Sequence, residues 1–212
     1  MPIFDLFKSK PKIEGEIGYH GLVDWWLSEF SEAERKHIEE VFKPLSTGGH
    51  EERPLTQGKI FSTTESAIQM LTALAGWFKK EDRGIAGRIL AKAETLLPDA
   101  KPIDRHFTYQ SLIEFHYQDR ANPVSLTKAT EYCRKQIEMA SSVKNAFRGY
   151  MGDQMPSHVG YYQLSVILDG AGQFAEAIAI CKQAKRQGWA GDWDKRIERY
   201  QKKLDKAGHA GV

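Results

Sequence analysis

The sequence predicts an all-α protein. Apolar residues recur at three- and four-residue steps through most of the chain, and residues that start or stop helices stand between those runs. No segment alternates apolar and polar residues between hairpin turns, as an exposed-face strand would. With 212 residues the chain can bury a real core as one domain or two small ones. Hydrophobic residues at 41% and charged residues at 27% are ordinary for a globular protein.

Residues 1–18 read as a tail. Ile3, Phe4, Leu6 and Phe7 share one side of a helical turn, Lys8, Lys10 and Lys12 follow, and Gly15 and Gly18 interrupt any helix. A weak membrane-surface contact through residues 3–12 is one use of such a basic amphipathic segment. Folding back onto the domain is the other. Residues 19–60 read as a helical pair and a loop. Leu22, Trp25, Trp26 and Phe30 suggest a short helix, and Ser31 with Glu34 forms a capping box for the next, striped by Ile38, Val41, Phe42 and Leu45. Pro44, Gly48, Gly49, Pro54 and Gly58 make 46–60 the longest expected loop, with His50-Glu51-Glu52-Arg53 solvated.

Residues 61–206 read as helix after helix. Ser62 with Glu65 suggests a second capping box, opening a helix with Ala67, Met70, Leu71, Leu74, Trp77 and Phe78 inward. The next helix carries Ala86, Ile89, Leu90, Ala93 and Leu97 and closes at Pro98. A third spans about 103–118, with Tyr109, Leu112, Ile113 and Tyr117 in register. Asn122-Pro123 starts a fourth, a capping side chain followed by a ring that pre-sets the first turn. It carries Leu126, Ala129, Cys133 and Ile137. Residues 141–156, with Gly149, Gly152 and Pro156, read as irregular. Tyr161, Leu164, Leu168 and Ala171 then mark one helix, and Phe174, Ala177, Ile178, Cys181 and Ala184 another, ended by Gly188. Asp192 can cap a last helix through Trp193, Ile197, Tyr200 and Leu204, and 207–212 form a C-terminal tail.

The second helix of each pair shares a pattern. Ala86, Leu90 and Ala93 recur as Ala177, Cys181 and Ala184, and more loosely as Ala129, Cys133 and Ile137. Small residues at these steps let a neighbouring helix approach closely. Together with Tyr161, Leu164, Ser165 and Leu168 on a first helix, then Gly172 at the turn and Phe174 after it, this resembles the tetratricopeptide repeat. Residues 70–98 match on the second helix, whereas Ala73 and Leu74 reverse the family's large-then-small order on the first. The middle pair, about 103–140, matches least. Ala86 to Ala129 is 43 residues and Ala129 to Ala177 is 48, against a family period of about 34, so the extra residues lie in the connections.

The resemblance implies a short right-handed α-solenoid of hairpins, with an N-terminal helical pair and a C-terminal capping helix, that binds a protein or peptide without catalysis. It places Leu71, Phe78, Gln110, Glu114, Tyr117, Tyr162, Val166 and Asp169 along the concave groove. Aromatics beside carboxylates there suit an apolar peptide carrying basic residues. The cationic clamp with which some family members hold a C-terminal carboxylate is not visible, since Tyr162 and Val166 occupy that side of the last repeat.

Chemistry is sparsely signalled. No two histidines stand four apart around a Glu, two cysteines cannot supply a four-thiolate zinc site, and no glycine loop has the residues that cradle phosphate. Neither a metal nor a cofactor is expected. The densest polar and aromatic stretch is His106 to Tyr117, and a His–Glu pair on it could do acid–base work. An enzyme or small-ligand site there is the alternative function. Lys195, Arg196, Arg199, Lys202, Lys203 and Lys206 give the last helix a basic side. Acidic residues interrupt it and the net charge is only +2, so nucleic acid is not an expected partner. No apolar run has transmembrane length and no secretory leader is visible. With Cys133 and Cys181 read as buried thiols, cytoplasmic residence is the expectation.

Overall fold

The computed structural model describes residues 12–44, 53–151 and 155–209, with residues 150 and 151 by backbone alone. The apolar stretch Ile3 to Phe7, Leu45, the His50-Glu51-Glu52 part of the charged cluster, and Gly152 lie outside the described residues. Among the described residues every regular element is a helix, eleven α-helices and two short 3-10 turns, beside one isolated parallel bridge between Ser157 and Ala190. The chain forms two compact units, Met1–Ile89 and Leu90–Val212.

The first unit holds α1 (Gly15–Tyr19), α2 (Val23–Glu29), α3 (Glu32–Val41), α4 (Ala67–Ala75) and the start of α5 (Arg83–Thr95). Residues 15–19 are helical, not part of a tail. Gly15 takes a left-handed φ of +58°, and a Cβ there would run into the backbone of Pro54 and Leu55. That close approach lets the amides of Glu16 and Ile17 donate to the carbonyls of Pro54 and Leu55 at 3.1 and 2.9 Å. Leu55 is fully buried as a result, so this end of the long loop is core, not solvated connection. The Ser31–Glu34 capping box forms as the pattern predicts. The Ser62–Glu65 box does not. Ser66 and Gln69 form it instead, four residues on, while Thr63 Oγ1 accepts from the Glu65 amide in a local turn. α4 then ends at Ala75, so Trp77 and Phe78 lie beyond it. Trp77 is 39% exposed, meeting Phe42 edge-on at 5.4 Å.

The second unit holds the rest of α5, then α6 (Pro102–Gln118), α7 (Pro123–Glu138), α8 (Ala140–Met151), α9 (Val159–Gly170), α10 (Phe174–Gln187) and α11 (Trp193–His209). Asn122 caps α7 by accepting from the Val124 amide. Consecutive partners are α6 with α7, α7 with α9, α9 with α10, and α10 with α11, and α6 also touches α9. Ala129, Cys133, Ala177, Cys181 and Ala184 have 0% exposure, which puts the small residues of the pattern at helix crossings. Gly172 and Gly188 turn the chain at φ +73° and +81°, and Gly188 closes α10 as a left-handed C-cap.

The expected irregular stretch 141–156 is mostly helix. In α8, Ala140, Val143 and Phe147 are buried at helical spacing, while Gly149 faces open space and costs the helix only its weak propensity. α8 packs on α6 and α7, and Lys144 Nζ donates to the carbonyl of Gln187 in the last turn of α10. A cation at that helix end is also favoured by its dipole.

Candidate functional site

Four aromatic rings from four parts of the second unit meet in its interior. His106 comes from α6, Phe147 from α8, His158 is the N-cap of α9, and Trp189 follows α10. His106 is 1% exposed and His158 0%. Their ring centroids are 5.0 Å apart and nearly perpendicular. Trp189 stacks on His106 at 6.0 Å with an 8° tilt and meets His158 edge-on at 4.7 Å. Phe147 closes the group edge-on to His106 at 5.4 Å.

Gln136 of α7 fixes the two histidine segments to each other. Its Nε2 donates to the His106 carbonyl at 2.8 Å, and its Oε1 accepts from the Gly160 amide at 2.6 Å. A Cβ on Gly160 would stand 2.7 Å from that Oε1 and 3.0 Å from the Cys133 carbonyl, so any side chain there has to displace Gln136.

Burial holds both imidazoles neutral. It pushes His106 down to about 4 and His158 down to about 3, where the neighbouring His106 ring is a second cause. His158 Nδ1 accepts from the Tyr161 amide at 3.4 Å, so its single proton sits on Nε2. Among the described residues, that Nε2 and His106 Nδ1 have no hydrogen-bond partner. Two neutral rings sealed from water make a poor acid–base pair, and among the described residues no group of three His, Cys, Asp or Glu converges as metal ligands.

The expected His106–Tyr117 site therefore comes apart. Glu114 is exposed and accepts from Gln110 at 3.1 Å, while His106 points inward. Eight residues of helix separate His106 from Glu114 by about 12 Å along the axis, too far for a catalytic pair. His116 stacks on Tyr132 at 5.5 Å, and Arg120 lies 4.8 Å over the Tyr117 ring. Nothing in the sequence links His106 to His158 and Trp189, which are far along the chain; their meeting is a product of packing.

The expected groove residues fall into three groups. Leu71 is fully buried and offers nothing to a partner, and Phe78 is half-buried beyond the end of α4. Gln110, Glu114 and Tyr117 lie at helical spacing along α6, with Glu114 exposed and the other two half-buried. On α9, Val166 is half-buried, but Tyr162 and Asp169 are engaged by α11. Arg196 Cζ lies 3.9 Å over the Tyr162 ring, and Lys203 pairs with Asp169 at 2.6 Å.

Arg196 was legible only as one of six surface cations, yet it is 5% exposed. Its Nε donates to Asp192 at 2.6 Å, which holds that carboxyl below its usual range. The available signal was its place in the Trp193, Ile197, Tyr200 stripe with Asp192 four residues earlier. With Lys202 paired to Glu198 at 2.6 Å and Lys203 to Asp169, three of the six cations of α11 sit in ion pairs.

Among the described residues no helix is long and apolar enough to cross a membrane. Comparison with known protein families, with curated proteins and with solved structures finds no match to this chain.

Proposed function

We propose that the chain is a non-catalytic scaffold that binds a protein or peptide through tetratricopeptide-like hairpins. In this reading α6/α7 and α9/α10 are successive hairpins of a short right-handed solenoid, α11 is the cap, and α8 is an insertion between them. The observation that supports it most is the order of helix contacts, each second helix packing on the next first helix through fully buried small residues. The binding face is the α6 side, Gln110, Glu114 and Tyr117, with Val166 of α9 beside it. Its carboxylate and aromatic edge suit an apolar segment bearing a basic residue. Tyr162 and Asp169 serve the cap first and the partner second. Cytoplasmic residence belongs to the same proposal, since both thiols are free and buried.

Affinity capture from the native host tests this with wild type and a Glu114→Lys/Tyr117→Ala variant. Glu114 is exposed and Tyr117 half-buried, and an unchanged far-UV circular dichroism checks that the variant folds. Loss of specific partners from the variant supports the proposal. Equal recovery of every partner sinks it.

A further inference from the structure

Beside α3 in the first unit is a pocket of 460 Å³, within the size range of small-molecule sites. Ile13 and Leu27, with Trp26, form its apolar wall, and Lys12, Arg35, Lys36 and Arg53 line the rest. Only two carboxylates, Glu32 and Glu39, share the lining. Glu39 is 8% exposed and already occupied. It accepts from the Thr56 hydroxyl, and Arg53 reaches it at 3.5 Å.

Arg35 differs from the other cations. Its Nη1 donates to the carbonyls of Leu27 and Phe30, which end α2, so the guanidinium is held in place by backbone. No carboxylate of the described residues lies within ion-pair distance of it, and its remaining N–H groups donate to no described protein atom. Lys36 is held only loosely, 3.9 Å from Glu40, and Lys12 pairs with Glu14 at 2.7 Å. The result is a fixed guanidinium fork and one loosely held cation, Lys36, beside an apolar wall, while Lys12 and Arg53 face their own carboxylates, Glu14 and Glu39.

We propose that this pocket binds a phosphate monoester carrying a small apolar group. The fork donates to two phosphate oxygens, Lys36 supplies a second positive charge to the dianion, and the apolar group lies against Ile13 and Leu27. A carboxylate of one charge matches the Arg35 fork alone and leaves Lys36 unused, which is why the phosphate class is favoured. This site is separate from the scaffold reading of the second unit and stands or falls without it.

Titration calorimetry of the full chain with phenyl phosphate, inorganic phosphate and benzoate tests the proposal. Phenyl phosphate is expected to saturate one site, with the other two several-fold weaker. Lys36→Met/Arg53→Met, both exposed and outside the core, is expected to lower phenyl phosphate affinity roughly tenfold or more for the charge-assisted bonds lost. Arg35→Met should do the same, but it also uncaps α2, so the surface double variant is the decisive comparison. No saturation at millimolar phenyl phosphate overturns the proposal. So does equal binding of inorganic phosphate, benzoate as tight as the ester, or an unchanged affinity in the double variant.

Discussion

Replacing His106 by Phe and His158 by Asn should remove a large part of the acid sensitivity of this protein. Phe keeps an aromatic edge toward Phe147 and Trp189, and Asn keeps an N-cap acceptor for the Tyr161 amide. The reasoning is proton linkage. Unfolded histidines bind protons near pH 6.5, whereas the folded pair resists protonation down to about 4 at His106 and about 3 at His158. The unfolded state therefore holds more protons as pH falls. Stability is complete above pH 6.5 and is lost progressively down to the folded values. At pH 5 each histidine should cost about 2 kcal/mol relative to pH 7.5, or about 4 kcal/mol for the pair.

Urea unfolding followed by circular dichroism, at both pH values and on both proteins, measures the difference. His20 has the same sign as the pair, being lowered by burial, while Glu16 and Glu65 are raised by burial and act oppositely. All three are common to wild type and variant, so they cancel in the comparison. A pH dependence equal in the two proteins, within about 1 kcal/mol, would refute the buried neutral pair.

Two further outcomes check the local geometry. Gly160→Ala should destabilise by about 1–3 kcal/mol, seen as a lower melting temperature, because its Cβ displaces Gln136 and crowds the Cys133 carbonyl. Ser66→Ala should cost about 1 kcal/mol and Ser62→Ala almost nothing, since only Ser66 accepts from an N3 amide; the reverse order in thermal melts would restore the upstream box.

The helices that punctuate cleanly were legible from the sequence. Asn122-Pro123, the Ser31–Glu34 box, Gly172 and Gly188 all act locally, through a side chain or a backbone angle that one residue supplies. α8 was hidden because Gly149, Gly152 and Pro156 look like breakers, although Ala140, Val143 and Phe147 already carried a helical stripe. Two S-x-x-E/Q patterns four residues apart gave no local ground for choosing Ser66 over Ser62. The interior histidines were illegible for a deeper reason. Histidine reads as polar, and its burial here depends on rings brought from three other segments. Arg196 hid similarly, among cations that do face water.

α8 occupies the connection between α7 and α9, which nevertheless pack directly on each other. Closing a longer loop costs only about 0.6 kcal/mol per doubling of its length, so this detour adds little entropic burden to the α7–α9 contact. The helix is held by the buried Ala140, Val143 and Phe147 and by Lys144 at the end of α10, and it packs chiefly on α6, outside the α7–α9 contact. Amide exchange should then run faster in α8 than in α7 or α9. Each opening would let water reach His106 before any other helix of the unit comes apart.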